Sequence, residues 1–110
     1  MKRFTRADLA ALVPTARARL LLGMRVKVSV GGAGKAITVT IRGAGATGKS
    51  RLAAHLIELL EQLGAKQVGH TVELPGRALA REGAQAGLVR TFQLRGQDVR
   101  IRELLTAEAR

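Results

Sequence analysis

The sequence predicts an α/β protein, organised as a two-layer sandwich with one βαβ unit, antiparallel hairpins and a helical N-terminus. Three patterns support this prediction. Apolar and polar residues alternate over 25–30 and again over 37–41, as they do in strands with one buried face. Leucines recur at helical spacing over 49–63. A strand-like segment, 67–74, follows that helix, so strand, helix and strand succeed one another along the chain.

The length and composition of the chain set the scale of this fold. With 110 residues and 46% hydrophobic side chains, residues 1–110 are expected to form one small domain. The only aromatic residues are Phe4 and Phe92, so the core must be built from aliphatic side chains. A domain of this size buries limited apolar surface, and association into a homo-oligomer or with a partner subunit would add to its stability.

The sequence also excludes several classes of protein. No apolar run approaches the roughly 18 residues that a membrane-spanning helix needs, so no membrane association is expected. The absence of cysteine excludes disulfides, thiol chemistry and thiolate metal sites. The basic start of the chain is not followed by an apolar signal core before Asp8. Together these features predict a cytoplasmic protein.

The first helix has recognisable start and stop signals. Thr5 and Asp8 have the spacing of a capping box, and Phe4 can pack against Leu9 as a hydrophobic staple. Pro14 disfavours a helical conformation in the residue before it. The helix is therefore expected to stop just before this proline.

A second short helix is predicted over 15–22, where Gly23 would end it, so residues 1–23 form a helical segment. Residues 25–42 then form a predicted hairpin. Its two strands flank the glycine-rich loop 31–35, which suits a turn.

The strongest predicted helix spans 49–63. Its apolar stripe consists of Leu52, Leu56, Leu59, Leu60 and Leu63. Gly64 supplies the stop signal. We expect the strand over 67–74 to lie parallel to the strand over 37–41, joined to it by a right-handed crossover through the helix.

The C-terminal third is predicted to end in a second hairpin. Residues 75–87 form a connection with room for one helical turn. Strands over 88–94 and 99–105 then pair around a turn at Gly96, which gives a hairpin over 88–105.

Residues 43–50 carry the chemistry that the sequence shows most clearly. They match the pattern Gly-x-x-x-x-Gly-Lys-Ser/Thr at every defined position and read Gly43, Ala44, Gly45, Ala46, Thr47, Gly48, Lys49 and Ser50. Small residues let the backbone curl so that successive N–H groups point into one cavity, and the helix that follows adds its dipole. Lys49 can reach the β- and γ-phosphates, and the Ser50 hydroxyl can ligate Mg²⁺.

The segment 37–74 resembles the P-loop nucleoside triphosphate hydrolase superfamily, because the sequence of residues 43–50 looks like its Walker A motif. The resemblance implies binding of ATP with Mg²⁺, with Lys49 in the catalytic role on the phosphates and Ser50 on the metal. The superfamily core has five parallel strands, more than this chain can hold. The predicted fold is therefore a reduced, P-loop-like two-layer sandwich, similar to small phage-type P-loop proteins.

The sequence departs from the superfamily at the second metal ligand. Members carry a Walker B strand of four apolar residues that ends in Asp, and this chain has no such run. Glu73 is the nearest candidate, because its strand is expected to lie beside the P-loop strand. We predict that Ser50 and Glu73 hold the metal, and we interpret Asp98 as a turn residue. Since no base is evident either, weak or no intrinsic hydrolysis is expected unless a partner chain completes the site.

Other polar residues have simpler interpretations. His55 falls on the polar face of the predicted helix and is expected to be solvated, and His70 is expected to be structural. Arg77 and Arg81 follow the strand over 67–74, where they either clamp transferring phosphates or are solvated. The chain has no asparagine, which excludes the Asn-Lys-x-Asp motif that reads guanine in GTPases.

The net charge of +11 is unevenly distributed. Residues 1–42 carry nine basic side chains against one acidic, a net +8, whereas residues 43–74 are neutral and residues 75–110 carry +3. A basic surface of this kind can bind nucleic acid or another polyanion. The alternative to a nucleotide-binding protein is therefore a small basic accessory module that binds nucleic acid or an acidic partner without catalysis.

Overall fold

The computed structural model of the protein describes residues 2–17, 26–32, 36–44 and 49–106. Its elements are α1 (Arg6–Arg17), β1 (Lys27–Gly31), β2 (Ala36–Gly43), α2 (Lys49–Gln62), β3 (Lys66–Glu73), α3 (Arg77–Arg81), β4 (Ala84–Leu94) and β5 (Gln97–Thr106). Over the described residues, three helices therefore accompany one five-stranded sheet. The predicted α/β class is confirmed.

The sheet is mixed, with strand order β1-β2-β5-β4-β3. β2 and β5 are parallel, and every other neighbouring pair is antiparallel. Both predicted hairpins are confirmed, β1 with β2 and β4 with β5. The second turns through Arg95 and Gly96, which have φ values of 51° and 76°. Two successive positive φ angles give a turn whose twist matches that of the strands it joins.

β2 and β3 are parallel, as predicted, because β2 is parallel to β5 and two antiparallel pairings separate β5 from β3. Their predicted position side by side is wrong. β3 lies at the far edge of the sheet and pairs with β4, so β5 and β4 separate it from β2. β5 takes the position beside β2 because its alternating Val99 and Ile101 are fully buried, as a central strand requires. The side chains of β3 are almost all exposed, which suits an edge.

The two faces of the sheet differ in what covers them. α1 and α2 pack on one face, which we call the helix face, over a core that includes Leu9, Ile37, Val39, Ile41, Leu52, Leu56, Leu60, Phe92, Val99 and Ile101. We call the opposite side the open face. Of the helices that the structure describes, α3 lies on this side, at the end where β2 and β5 finish, and there Leu79 packs with Ala84 and Leu104.

The N-terminal helix begins as predicted and ends later. The Thr5 N–H donates to Asp8 Oδ2 at 2.8 Å, and the Asp8 N–H donates to Thr5 Oγ1 at 3.2 Å, which confirms the capping box. The predicted stop at Pro14 is wrong, because α1 continues to Arg17. Leu9 and Ala16, on either side of the proline, are both fully buried in the core. Their contacts offset the backbone hydrogen bond that is lost because proline has no N–H.

The predicted second helix begins inside α1, and its later part, together with Gly23, lies outside the described residues. The stop of α2 at Gly64 is confirmed: this glycine has φ +102°, and the Ala65 N–H bonds to the Leu60 carbonyl at 3.0 Å. In the described part of the chain, no helix is long and apolar enough to cross a membrane.

Candidate functional site

The predicted phosphate-binding segment joins a strand to a helix. β2 ends at Gly43, which is buried and paired with Leu105 of β5, and α2 begins at Lys49. Ala44 is half-buried. Residues 45–48, which hold the predicted Gly45, Ala46, Thr47 and Gly48, lie outside the described residues.

The N-terminus of α2 has the electrostatics of an anion site. Lys49 and Ser50 are its first two residues, and its first turn contains no acidic side chain. The unpaired N–H groups and the positive end of the helix dipole favour a negative group at this end. The half-buried Lys49 adds a full positive charge there.

A buried carboxylate, Glu103 of β5, lies directly beside this helix start. It pairs in register with Ile41, two residues before the end of β2, and its side chain points to the helix face. The Ser50 hydroxyl donates to Glu103 Oε1 at 3.2 Å. The other carboxylate oxygen, Oε2, lies 3.9 Å from Nη2 of Arg90 on β4. The side chain of Glu103 is only 8% exposed.

The Ser50 and Glu103 oxygens have a spacing that suits a shared divalent cation. Mg²⁺ binds oxygen ligands at about 2.0–2.1 Å in octahedral geometry, which places neighbouring ligand oxygens about 3 Å apart. The measured 3.2 Å between Ser50 Oγ and Glu103 Oε1 is close to that spacing. No group of three or more His, Cys, Asp or Glu side chains could hold a metal within the described ranges. Mg²⁺ bound together with phosphates needs only one or two protein ligands.

Lys49 and Glu103 line the same small pocket, which has a volume of about 190 Å³. Its other lining residues are Ala86, Gly87, Leu88 and Leu105. The pocket therefore brings a cation, a carboxylate and apolar walls together at the start of α2. The pocket is shallow and open to solvent, and its lysine and carboxylate can contact a phosphate and its metal.

The predicted metal ligand Glu73 lies elsewhere, and its expected position beside β2 is wrong. Glu73 points to the open face, whereas Ser50 and Glu103 lie on the helix face. Arg102 Nε donates to Glu73 Oε2 and Arg102 Nη2 donates to Oε1, both at 2.7 Å. Two strong hydrogen bonds thus occupy the carboxylate that we expected to bind metal.

Arg102 also binds the end of α3, and we call the set of Glu73, Glu82 and Arg102 the Arg102 clamp. Arg102 Nη1 and Nη2 donate to the two oxygens of Glu82, each at 2.8 Å. Hydrogen bonds to Glu73 and Glu82 raise the pKa of Arg102 above its usual range, and the hydrogen bond from Arg102 lowers the pKa of Glu82. Arg42 Nη1 donates to the Glu82 carbonyl at 2.5 Å. The clamp ties β3 and α3 to β5.

The remaining candidates lie outside the pocket. Asp98 lies in β5, two residues after Gly96, and not in the turn as predicted. It accepts a hydrogen bond from Gln93 and pairs with Ala36, at the end of the sheet away from Gly43. His70 is exposed on β3.

His55 is half-buried on α2, and its Nδ1 lies 4.0 Å from Glu58. Arg77 and Arg81 are exposed on α3. None of these three residues lines the pocket that holds Lys49 and Glu103.

The sequence contained a signal for Glu103 that the search for a Walker B run missed. That search looked for four successive apolar residues, which a strand buried on both faces would have. β5 is covered by large helices on one face only, so its apolar residues alternate, and Glu103 continues the alternation of Val99 and Ile101. A search for an acidic residue at the end of an alternating strand would have found it.

No protein-family model, curated protein or solved structure matches the chain. The site is therefore defined by its geometry: a helix start with Lys49 and Ser50, and a buried Glu103 on the parallel neighbouring strand.

Proposed function

We propose that the protein binds a nucleoside triphosphate, ATP with Mg²⁺, through residues 43–50. The observation that carries the proposal is the hydrogen bond between Ser50 and Glu103 at the start of α2. It brings the hydroxyl at the start of α2 together with a buried carboxylate of β5, the strand that lies parallel and adjacent to β2, next to a glycine-rich segment followed by Lys49. In P-loop proteins the Mg²⁺ ion is held by the serine of the loop and an acidic residue of a nearby strand.

Each residue of the site has a defined role in this proposal. Lys49 contacts the β- and γ-phosphates, and the backbone N–H groups at the start of α2 bind phosphate oxygens. Ser50 and Glu103 hold Mg²⁺, in place of the Ser50 and Glu73 pair that the sequence predicted. The motif of residues 43–50 and its resemblance to the P-loop superfamily support a nucleotide as the ligand.

We expect intrinsic hydrolysis to be slow. Phosphoryl transfer to water needs an oriented nucleophile in addition to a phosphate grip and a metal. Among the described residues that line the pocket, Glu103 is the only carboxylate, and in this proposal it serves the metal. A partner chain that supplied a further charged group would raise the rate.

Nucleotide-dependent thermal melting tests the proposal. A ligand at a hundredfold excess over its dissociation constant stabilises the native state by about 2.7 kcal/mol. We expect ATP with Mg²⁺ to raise the melting temperature of the wild type and of Lys66→Ala, because Lys66 is exposed on the distant edge strand. Lys49→Ala should lose most of the shift. A wild type whose melting temperature does not change at millimolar nucleotide would refute the proposal.

A further inference from the structure

The register of the sheet aligns two rows of side chains across the middle of the open face. In strand order, one row reads Gly31, Thr38, Arg100, Thr91 and Gly69, and the next reads Ser29, Thr40, Arg102, Val89 and Thr71. Half of these ten positions are hydroxyl residues and none is acidic. Of the two arginines, Arg102 is bound to Glu73 and Glu82, which leaves Arg100 to contact a ligand. Arginine and hydroxyl side chains are the groups with which proteins contact phosphate oxygens of nucleic acids.

The acidic residues of the open face lie outside these two rows and are already bound. Glu73 and Glu82 accept hydrogen bonds from Arg102, and Asp98 accepts one from Gln93. The charges of Glu73 and Glu82 are compensated by Arg102 and by Arg42, whose Nη2 lies 3.4 Å from Glu82 Oε1. Gln93 is neutral, so Asp98 keeps its charge, but it lies outside the two rows, beside Ala36.

A shallow cleft of about 510 Å³ follows the rows over β1, β2 and β5 as far as Val89. Its lining includes Ser29, Thr38, Thr40 and Arg100, together with the paired Arg102 and Glu73. Arg100 is exposed, and its guanidinium forms no hydrogen bond or ion pair with any residue that the structure describes. Lys27, also exposed, lies on β1 one row beyond Ser29. The cleft therefore combines free positive charge with hydroxyl donors.

The bulk charge of the chain points to the same ligand chemistry. The net charge is +11, and residues 43–74, which contain the nucleotide site, contribute none of it. The only two aromatic residues, Phe4 and Phe92, are buried in the core, so no aromatic ring is available to stack on bases. Recognition at the open face must rely on the sugar–phosphate backbone.

We propose that the open face binds the phosphodiester backbone of single-stranded nucleic acid, which crosses the strands along the two rows. Five strands at a spacing of about 4.8 Å give a path of about 19 Å. A single strand fits a shallow cleft of this kind, whereas readout of a duplex needs an element that enters a groove. The surface is separate from the nucleotide site, because Ser50 and Glu103 lie on the opposite face of the sheet.

The test compares two charge reversals that change the net charge equally. Arg100→Glu alters the middle of the cleft, and Arg6→Glu alters an exposed arginine of α1, in the helix layer. The probe is a labelled oligothymidylate, titrated by fluorescence anisotropy at about 50 and about 200 mM salt, with a duplex of the same length in parallel. Circular dichroism and melting verify the fold, and Arg100→Gln replaces Arg100→Glu if the reversal does not fold.

We expect wild-type binding that weakens steeply with salt, at least a tenfold loss for Arg100→Glu and a change of about threefold or less for Arg6→Glu. The salt dependence of the Arg100 variants should also be shallower by about one unit in the log–log slope. Equal losses for the two reversals would show that net charge alone attracts the strand and would overturn the proposal. Undetectable binding at low salt, or tighter binding of the duplex, would overturn it as well.

Discussion

Two carboxylates, Glu103 and Glu73, point to opposite faces of the sheet at the end where β2 and β5 finish, and their surroundings differ. Glu73 receives two hydrogen bonds of 2.7 Å from Arg102. Among the described residues, Glu103 receives one, from Ser50 at 3.2 Å, and its ion-pair neighbour Arg90 lies 3.9 Å away. Both oxygens of Glu73 thus accept a hydrogen bond from its arginine, whereas in the described part of the chain only one oxygen of Glu103 accepts one. The comparison shows that strand position and local partners give two carboxylates of one sheet different surroundings.

The same contrast extends to the two faces as a whole. The helix face buries the aliphatic core, so its stability depends on packing. The described part of the open face is held by the Arg102 clamp and the small apolar cluster around Leu104, so its stability depends more on ion pairs and hydrogen bonds than that of the helix face. Substitutions matched across the two faces can therefore test the comparison.

The largest effect is expected from a cavity in the helix face. Leu56 is fully buried between α2 and the sheet, and Leu56→Ala should cost about 3 kcal/mol in the free energy of unfolding. Val89→Ala, on the half-buried open face, should cost about 1 kcal/mol or less. Urea denaturation measures both. Equal losses would mean that the open face is packed as tightly as the helix face.

Removal of the clamp arginine should have the next largest effect. Arg102→Met removes both hydrogen bonds of Glu73 and leaves Glu82 with the longer contact to Arg42 Nη2 at 3.4 Å. We expect a loss of about 2 kcal/mol, since the groups are only partly exposed. Arg100→Met is the matched control, because it removes an arginine from the same strand and face that is exposed and unpaired among the described residues. It should change stability by about 0.5 kcal/mol at most. If both variants lose equally, the clamp has no structural role.

A smaller effect is expected at Gly87, where the clamp passes over β4. A Cβ atom there would lie 2.6 Å from Glu73 Oε2 and 3.0 Å from Leu104 Cδ2, so Gly87→Ala should cost about 1–2 kcal/mol. Gly69→Ala, on β3, meets nothing within 4 Å and should be close to neutral. In an Arg102→Met background the cost of Gly87→Ala should shrink, because Glu73 is then free to move. Additive losses would argue against contact through Glu73.

The smallest effect is expected in the stability of the fold at acidic pH. The hydrogen bond from Arg102 lowers the pKa of Glu82 in the folded protein below its usual 4.5. The stability from this pair is therefore fully present above pH 4.5 and is lost as the pH falls through the lowered folded-state pKa. We expect Glu82→Gln to lose less stability between neutral pH and pH about 3 than the wild type. Glu61→Gln, exposed on α2, should follow the wild type, and identical acid curves for all three proteins would contradict the assignment.

Local patterns in the sequence predicted most elements, whereas long-range pairing was not predictable from them. The capping box at Thr5, the helix that ends at Gly64 and the turn at Gly96 depend on neighbouring residues, and the structure bears them out. Which strand lies beside β2 depends on how well each strand buries its apolar face there. Those strands are far apart in the sequence, so local patterns do not decide between them. Helix α1 continues past Pro14 for a similar reason. The contacts of the buried Ala16 with the core stabilise the helix more than Pro14 destabilises it locally.

The site was predictable in its contiguous part only. Residues 43–50 form one motif, and their place between β2 and α2 followed directly. Glu103 lies more than fifty residues from Ser50 in the chain, and its relevance appears only when β5 pairs with β2. The choice of Glu73 followed from the assumption that consecutive strands of a βαβ unit are also neighbours, which does not hold for β2 and β3.

The most direct test of the central claim is the Mg²⁺ dependence of ATP binding in Glu103→Gln and Glu73→Gln. Calorimetric titration with saturating Mg²⁺ and with a chelator, below the melting temperature of each variant, gives the factor by which the metal tightens ATP binding. For Glu103→Gln we predict that this factor falls by about tenfold or more, while the affinity for ATP in chelator stays unchanged. For Glu73→Gln we predict the same factor as in the wild type. A full Mg²⁺ effect in Glu103→Gln, or its loss in Glu73→Gln alone, would contradict the account.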